Sequence, residues 1–285
     1  MNIATIRLQS VVLFMPTEVT VLLPEDGPRQ GEKYKVVWML HGAGGDSKIF
    51  LYSADLEGMM ARHRAMIVLP SALNSDYGCY ERFGRGYDFP RFFFEELMPF
   101  VYDTFPASRR PEDNFIEGAS MGGFGAMQLG LMRPERFAAI GMLGASLRES
   151  AFLAPYLEDP DCERFRADAL AEPRRFPTEY GNPAWGIKPK EVNVIAKYPN
   201  VRAFLDSPDC MWNRFPEVAA AGHLPQIYVA CGQEDLFYPA NLRFQELTEK
   251  LGVSGHVYFH FAEGVAHDEA FFDVQLGAFM DYYKL

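Results

Sequence analysis

Gly118-Ala119-Ser120-Met121-Gly122-Gly123 is the stretch on which the reading of this chain turns. Before it, Asp113-Asn114-Phe115-Ile116-Glu117 ends in a short extended run. After it, Phe124 to Met132 carries Ala, Met, Gln and Leu and suits a helix. A glycine-flanked serine between strand and helix predicts a tight turn that lifts one hydroxyl clear of the backbone. The glycines matter because a Cβ at those positions would collide with the flanking strand and helix. At a helix N-terminus, free N–H groups also stand ready to stabilise an anion beside that hydroxyl. A bare Gly-x-Ser-x-Gly is a weak signal in a chain with 24 glycines. Its surroundings must carry the argument.

Those surroundings are globular. The 285 residues, 48% hydrophobic and 23% charged, suit one large domain with a substantial core. A formal net charge of −11 argues against nucleic acid or an anionic membrane as partner, since both call for clustered Lys and Arg. Cys79, Cys162, Cys210 and Cys231 lie far apart, with no CxxC or zinc spacing, and read as reduced thiols of a cytoplasmic protein. Val11 to Met15 is too short for a signal-peptide core, and no apolar run is long enough to span a bilayer.

Outward from the serine the chain alternates strand and helix, which predicts an α/β fold with a mostly parallel sheet covered on both faces. Thr5–Leu8 and Val19–Leu23 read as antiparallel edge strands. Lys35–Leu40, Ala65–Leu69, Asn114–Glu117, Phe137–Leu143, Gln226–Cys231 and His256–Phe261 read as the main strands. Helices are expected over Arg91–Phe105, near Ala240–Leu251 and near Glu269–Tyr283. Between Ser146 and Leu224 the alternation breaks down, with short helical pieces near Cys162–Leu170 and Glu191–Lys197. Residues 146–224 therefore read as an insertion at the C-terminal edges of the strands, a partial cap within a single domain of 1–285.

A serine hydroxyl is a poor nucleophile until a base, itself oriented by a carboxylate, takes its proton. Gly232-Gln233-Glu234-Asp235 follows the strand ending at Cys231. Asp235 is favoured as the acid because the glycine-led turn places it at the far side of the loop, and Glu234 stays open. Of the histidines after it, His256 and His260 border or lie within a strand. His267 falls on a loop between the last strand and the last helix, where the base belongs. A developing oxyanion needs two N–H donors. Met121, directly after the serine, supplies one, and the loop His41-Gly42-Ala43-Gly44-Gly45 supplies the other. His41 precedes the serine and reads as a brace for that loop.

With these segments assembled, the chain resembles the esterase D / tributyrin esterase family of α/β-hydrolases, which includes S-formylglutathione hydrolases and feruloyl and acetyl-xylan esterases. The resemblance runs through Val36–Gly42, Ile67–Ala72, Phe93–Pro99, the turn at Ser120 through Ala126, Gly232–Tyr238 and Gly264–His267. It implies an α/β-hydrolase fold and a serine carboxylesterase with Ser120 as nucleophile, Asp235 as acid and His267 as base. The family's oxyanion donors map onto the N–H groups of Ala43 and Met121. A small-molecule ester is the implied partner, without cofactor or metal, and self-association is left open. S-formylglutathione hydrolysis, acyl transfer to an alcohol and a non-catalytic binding role are the alternatives. Gly42, Tyr80, Trp185 and Phe237 are candidate pocket residues. The chain departs from the family in carrying Ala43 where bulkier residues are common, Asp268-Glu269 where an aromatic often follows the histidine, and a longer insertion.

Overall fold

The runs read as strands assemble into one eight-stranded sheet in the computed structural model, which describes residues 1–79, 86–148, 151–159, 163–171, 198, 200–207 and 209–285. β1 (Asn2–Ser10) and β2 (Met15–Leu23) form an antiparallel hairpin. β3 (Lys35–Leu40), β4 (Ala65–Pro70), β5 (Asn114–Ala119), β6 (Ala139–Leu143), β7 (Gln226–Gly232) and β8 (Val257–Ala262) are parallel to one another. The order is β1-β2-β4-β3-β5-β6-β7-β8, with β2 antiparallel to β4. Among the described residues, the α-helices of four residues or more are α1 (Phe50–Ser53), α2 (Leu56–Arg62), α3 (Met98–Thr104), α4 (Met121–Met132), α5 (Glu163–Ala171), α6 (Val201–Leu205), α7 (Met211–Ala220), α8 (Tyr238–Lys250) and α9 (Glu269–Tyr282). A π-helical stretch, Phe92–Leu97, leads into α3.

The central strands are apolar along nearly their whole length because helices cover both faces. Side-chain alternation then decides which layer each residue serves. Val36, Trp38 and Leu40 enter a core shared with Phe93, Met127, Phe215 and Phe244, so α4, α7 and α8 lie on that face. Val37 and Met39 enter the opposite core with Phe50, Met59, Leu276 and Phe279, which places α1, α2 and α9 there.

Between β6 and β7 the described residues include α5, α6 and α7. Leu153, Tyr156, Phe165, Val201, Phe204 and Cys210 form a small core of their own, whereas Met211, Phe215 and Val218 of α7 join the main one. The helix expected near Cys162–Leu170 is α5. The piece expected near Glu191–Lys197 lies outside the described residues.

Candidate active site

β5 ends and α4 begins on Ser120, with no linker between them. Ser120 takes φ 55° and ψ −119°, a conformation that costs an L-residue on the order of 1–3 kcal/mol unless its surroundings impose it. They do. Its N–H donates to the Leu143 carbonyl at 2.8 Å, and its own carbonyl accepts from Gly123 N–H at 2.9 Å and Phe124 N–H at 3.2 Å. Two glycines permit the close approach. A Cβ on Gly122 would lie 1.9 Å from the Leu40 carbonyl oxygen, and one on Gly118 would lie 2.5 Å from Gly122. α4 can start against β3 only with hydrogens at both positions.

His267 joins this turn from the loop after β8. Its Nε2 sits 3.0 Å from Ser120 Oγ, and its Nδ1 sits 2.7 Å from Asp235 Oδ2. The Asp235 side chain is wholly buried, and its other oxygen accepts from Phe237 N–H at 2.9 Å. That turn fixes the carboxylate at the entry to α8. Glu234 is exposed and meets the histidine loop through its backbone, donating to the Val265 carbonyl at 2.9 Å. Gly232 lets the two loops touch, since a Cβ there would lie 2.0 Å from the Val265 carbonyl oxygen. Phe237 and Phe272 pack edge-on against the imidazole, with centroids 5.8 and 4.8 Å away. Asp268 caps α9, accepting from Ala270 N–H and Phe271 N–H.

The glycine loop after β3 lies beside the serine: a Cβ on Gly42 would be 3.6 Å from Ser120 Cβ. Among the described residues, the amides of Ala43 and Met121 donate to no protein acceptor. His41 is buried beneath this loop. Its Nε2 accepts from Ala72 N–H at 3.0 Å while Nδ1, 2.7 Å from the Gly42 carbonyl, carries the proton. Burial holds its pKa below the ordinary imidazole value, so the ring is a neutral brace.

A cleft of about 420 Å³ opens onto Ser120 and His267. Gly42, Ala43, Ile49, Phe50, Ala54 and Phe272 supply much of its wall, and Glu269 and Asp273 supply carboxylates. Asp273 Oδ1 accepts from Asp55 N–H at 2.7 Å. No Lys or Arg lines this cleft among the described residues. Of the four candidate pocket residues, Gly42 lines the cleft, and Phe237 lies buried behind the imidazole. Tyr80 and Trp185 lie outside the described residues. Sequence reasoning missed Ile49, Phe50 and Phe272. The available signal was position alone: the first two follow the glycine loop closely, and Phe272 follows His267 by little more than one helical turn.

With that geometry in place, comparison with known families matches residues 10–273 to the esterase family, described as "Putative esterase". The chain belongs to this family. It is thus an enzyme that acts on esters. The acetyl esterase of Caldicellulosiruptor saccharolyticus is 25% identical over 256 residues, spanning 85% of this chain and 84% of that protein. An esterase of Mycobacterium tuberculosis strain H37Rv is 27% identical over 217 residues, but the match spans only 46% of its length. Among solved structures, the fluorophosphonate-binding serine hydrolase F of Staphylococcus aureus superposes with a TM-score of 0.74 at 20% identity, covering 99% of this chain and 98% of that one. The S-formylglutathione hydrolase of the same organism gives a TM-score of 0.72 at 21% identity, covering 99% of each. The layered sheet is therefore an α/β-hydrolase fold. Among the described residues, no helix of this esterase is long and apolar enough to cross a membrane.

Proposed function

We propose that this chain is a serine carboxylesterase that hydrolyses short-acyl esters of uncharged alcohols through an acyl-enzyme on Ser120. The observation that carries the reading is the relay from Ser120 Oγ through His267 to Asp235, at 3.0 and 2.7 Å. As Oγ bonds the ester carbonyl carbon, its proton passes to His267 Nε2 and the C=O π pair moves onto oxygen. The Ala43 and Met121 amides receive that oxyanion, each such donor being worth about 2.7–4 kcal/mol in related chemistry. Collapse expels the alcohol, which takes the proton from His267. Water then attacks the acyl-enzyme, again giving a proton to His267, and the acid leaves as Ser120 Oγ is reprotonated. Asp235 accepts from the imidazole Nδ1–H and holds the ring in the reactive tautomer.

The alternative of a formylglutathione thioesterase is less well supported by the cleft. Glutathione carries two carboxylates against one ammonium, and the described walls offer Glu269 and Asp273 without an opposing cation. We further place the enzyme in the cytoplasm, on its cysteine pattern, and assign 1–285 to one domain; much of the 146–224 stretch expected to form a partial cap, including 172–197, lies outside the described residues.

A panel of p-nitrophenyl esters from acetate to octanoate, run beside S-formylglutathione, tests the substrate class. The acetate is expected to exceed S-formylglutathione in kcat/KM by more than about tenfold, given the cost of like charges in a cleft. Equal or reversed preference contradicts the proposal.

A further inference from the structure

The loop 71–77 carries backbone strain that the acyl-transfer scheme leaves unused. Leu73, Asp76 and Tyr77 have φ values of 54°, 52° and 55°, in a region where each non-glycine residue costs about 1–3 kcal/mol. Such strain persists only where the surroundings over-determine it, and here they do so around Tyr77. The Tyr77 hydroxyl donates to the His41 carbonyl at 3.2 Å, and its ring lies beside the His41 imidazole with centroids 5.7 Å apart. Its other side fills the space over Gly125 of α4, where a Cβ would stand 2.3 Å from Tyr77 Cδ2. Burial pushes the phenol pKa well up, which keeps the hydroxyl a donor.

Tyr77 thus touches both supports of the proposed oxyanion site. His41 is two residues before the Ala43 amide, and Gly125 is one turn along the helix that begins with the Met121 amide. We infer that Tyr77 is a positioning residue, a strut that sets the separation of the Ala43 and Met121 N–H groups and so the strength with which they hold an oxyanion. Its neighbours fix the same loop. Ala72 N–H donates to His41 Nε2 at 3.0 Å, and Asn74 Oδ1 accepts from Gly44 N–H at 2.7 Å. Asp76 pairs with Arg148 at 3.3 Å, and that guanidinium lies 3.9 Å from the centroid of Phe124, on the first turn of α4. Two amides presented from different elements are useful only while their spacing matches the tetrahedral oxygen, and a misplacement near 1 Å costs roughly 100-fold.

The inference rests on the esterase reading, and the experiment separates the two. Tyr77→Phe keeps the ring over Gly125 and removes only the bond to His41. With sites counted by fluorophosphonate titration, kcat for p-nitrophenyl acetate is expected to fall roughly tenfold while KM stays within about twofold. The inhibition constant of an alkyl trifluoromethyl ketone, whose adduct with Ser120 places an oxyanion at the same point, should rise by the same factor. A merely structural role would lower the melting temperature or the number of sites and leave both per-site quantities unchanged; that result overturns the strut. Should Tyr77→Phe fail to fold, the exposed Asn74→Ala decides: a smaller but parallel loss in kcat and analogue affinity supports the inference, and wild-type values overturn it. A wild-type protein that neither hydrolyses esters nor takes fluorophosphonate removes the esterase reading and the strut together. An active wild type with indifferent variants removes the strut alone.

Discussion

Three residues before Ser120, on β5, Glu117 is fully buried, and neither of its carboxyl oxygens has a hydrogen-bond partner among the described residues. It faces the core under α9. Gly141 makes the room, since a Cβ there would stand 2.6 Å from Glu117 Cβ. Burial alone pushes the carboxyl well above its ordinary value. The consequence for stability follows by linkage. The folded-state pKa is raised, so the contribution of this group is complete below the unfolded value, near 4.3, and is lost as pH climbs from there towards the folded value. The slope over that window is about 1.4 kcal/mol per pH unit for one proton. Glu117→Gln cannot ionise. Chemical denaturation from pH 4 upward should therefore show the variant gaining on the wild type as pH rises; a difference that stays flat with pH would show that Glu117 ionises without penalty.

At the scale of elements, the active site depends on how closely α4 approaches β3. Helix propensity alone says that Gly122→Ala should stabilise, by about 1 kcal/mol. The packing says the opposite, because the new Cβ would meet a backbone oxygen at 1.9 Å and neither β3 nor α4 is free to retreat. Gly122→Ala is expected to cost at least about 3 kcal/mol and to abolish activity. Gly255→Ala, with nothing within 4 Å of its Cβ, should stay within about 0.5 kcal/mol. Melting curves of the two variants check the contrast. Two equal melting temperatures would mean that the helix start is softer than its geometry implies.

The same distinction explains what could be read in the sequence. The strands from Lys35 to Leu40 and from Gln226 to Gly232 announce themselves through continuous apolar runs, a local property. The turn at Ser120 announces itself through glycines that only a tight approach requires. The choice between Glu234 and Asp235 is not local: it depends on the Asp235 carboxylate turning inward onto Phe237 N–H while Glu234 points to solvent. The cleft walls are less legible still, because Phe50 and Phe272 meet only once the sheet has brought α1 and α9 to one face. Tyr77 sits in an aperiodic loop, and its partner Gly125 looks in sequence like any small residue of a buried helix.

At the scale of the whole molecule, the relay residues and the glycine loop come from turns and loops that follow parallel strands. Gly42 and Ala43 follow β3, Ser120 follows β5, Asp235 follows β7 and His267 follows β8. Strand ends of a doubly covered α/β sheet gather loops from distant parts of the chain into one crevice. Here they gather a hydroxyl, an imidazole, a carboxylate and two uncommitted amides. The molecule carries a formal charge of −11, and the described cleft walls share its sign through Glu269 and Asp273. The central claim is that Ser120 is the nucleophile. Its most direct measurement is intact-protein mass spectrometry with peptide mapping after exposure to a fluorophosphonate, on the wild type and on Ser120→Ala. One adduct per chain, mapped to Ser120 and absent from a folded Ser120→Ala, is the predicted result. An unlabelled wild type, or an adduct retained by Ser120→Ala, would contradict it.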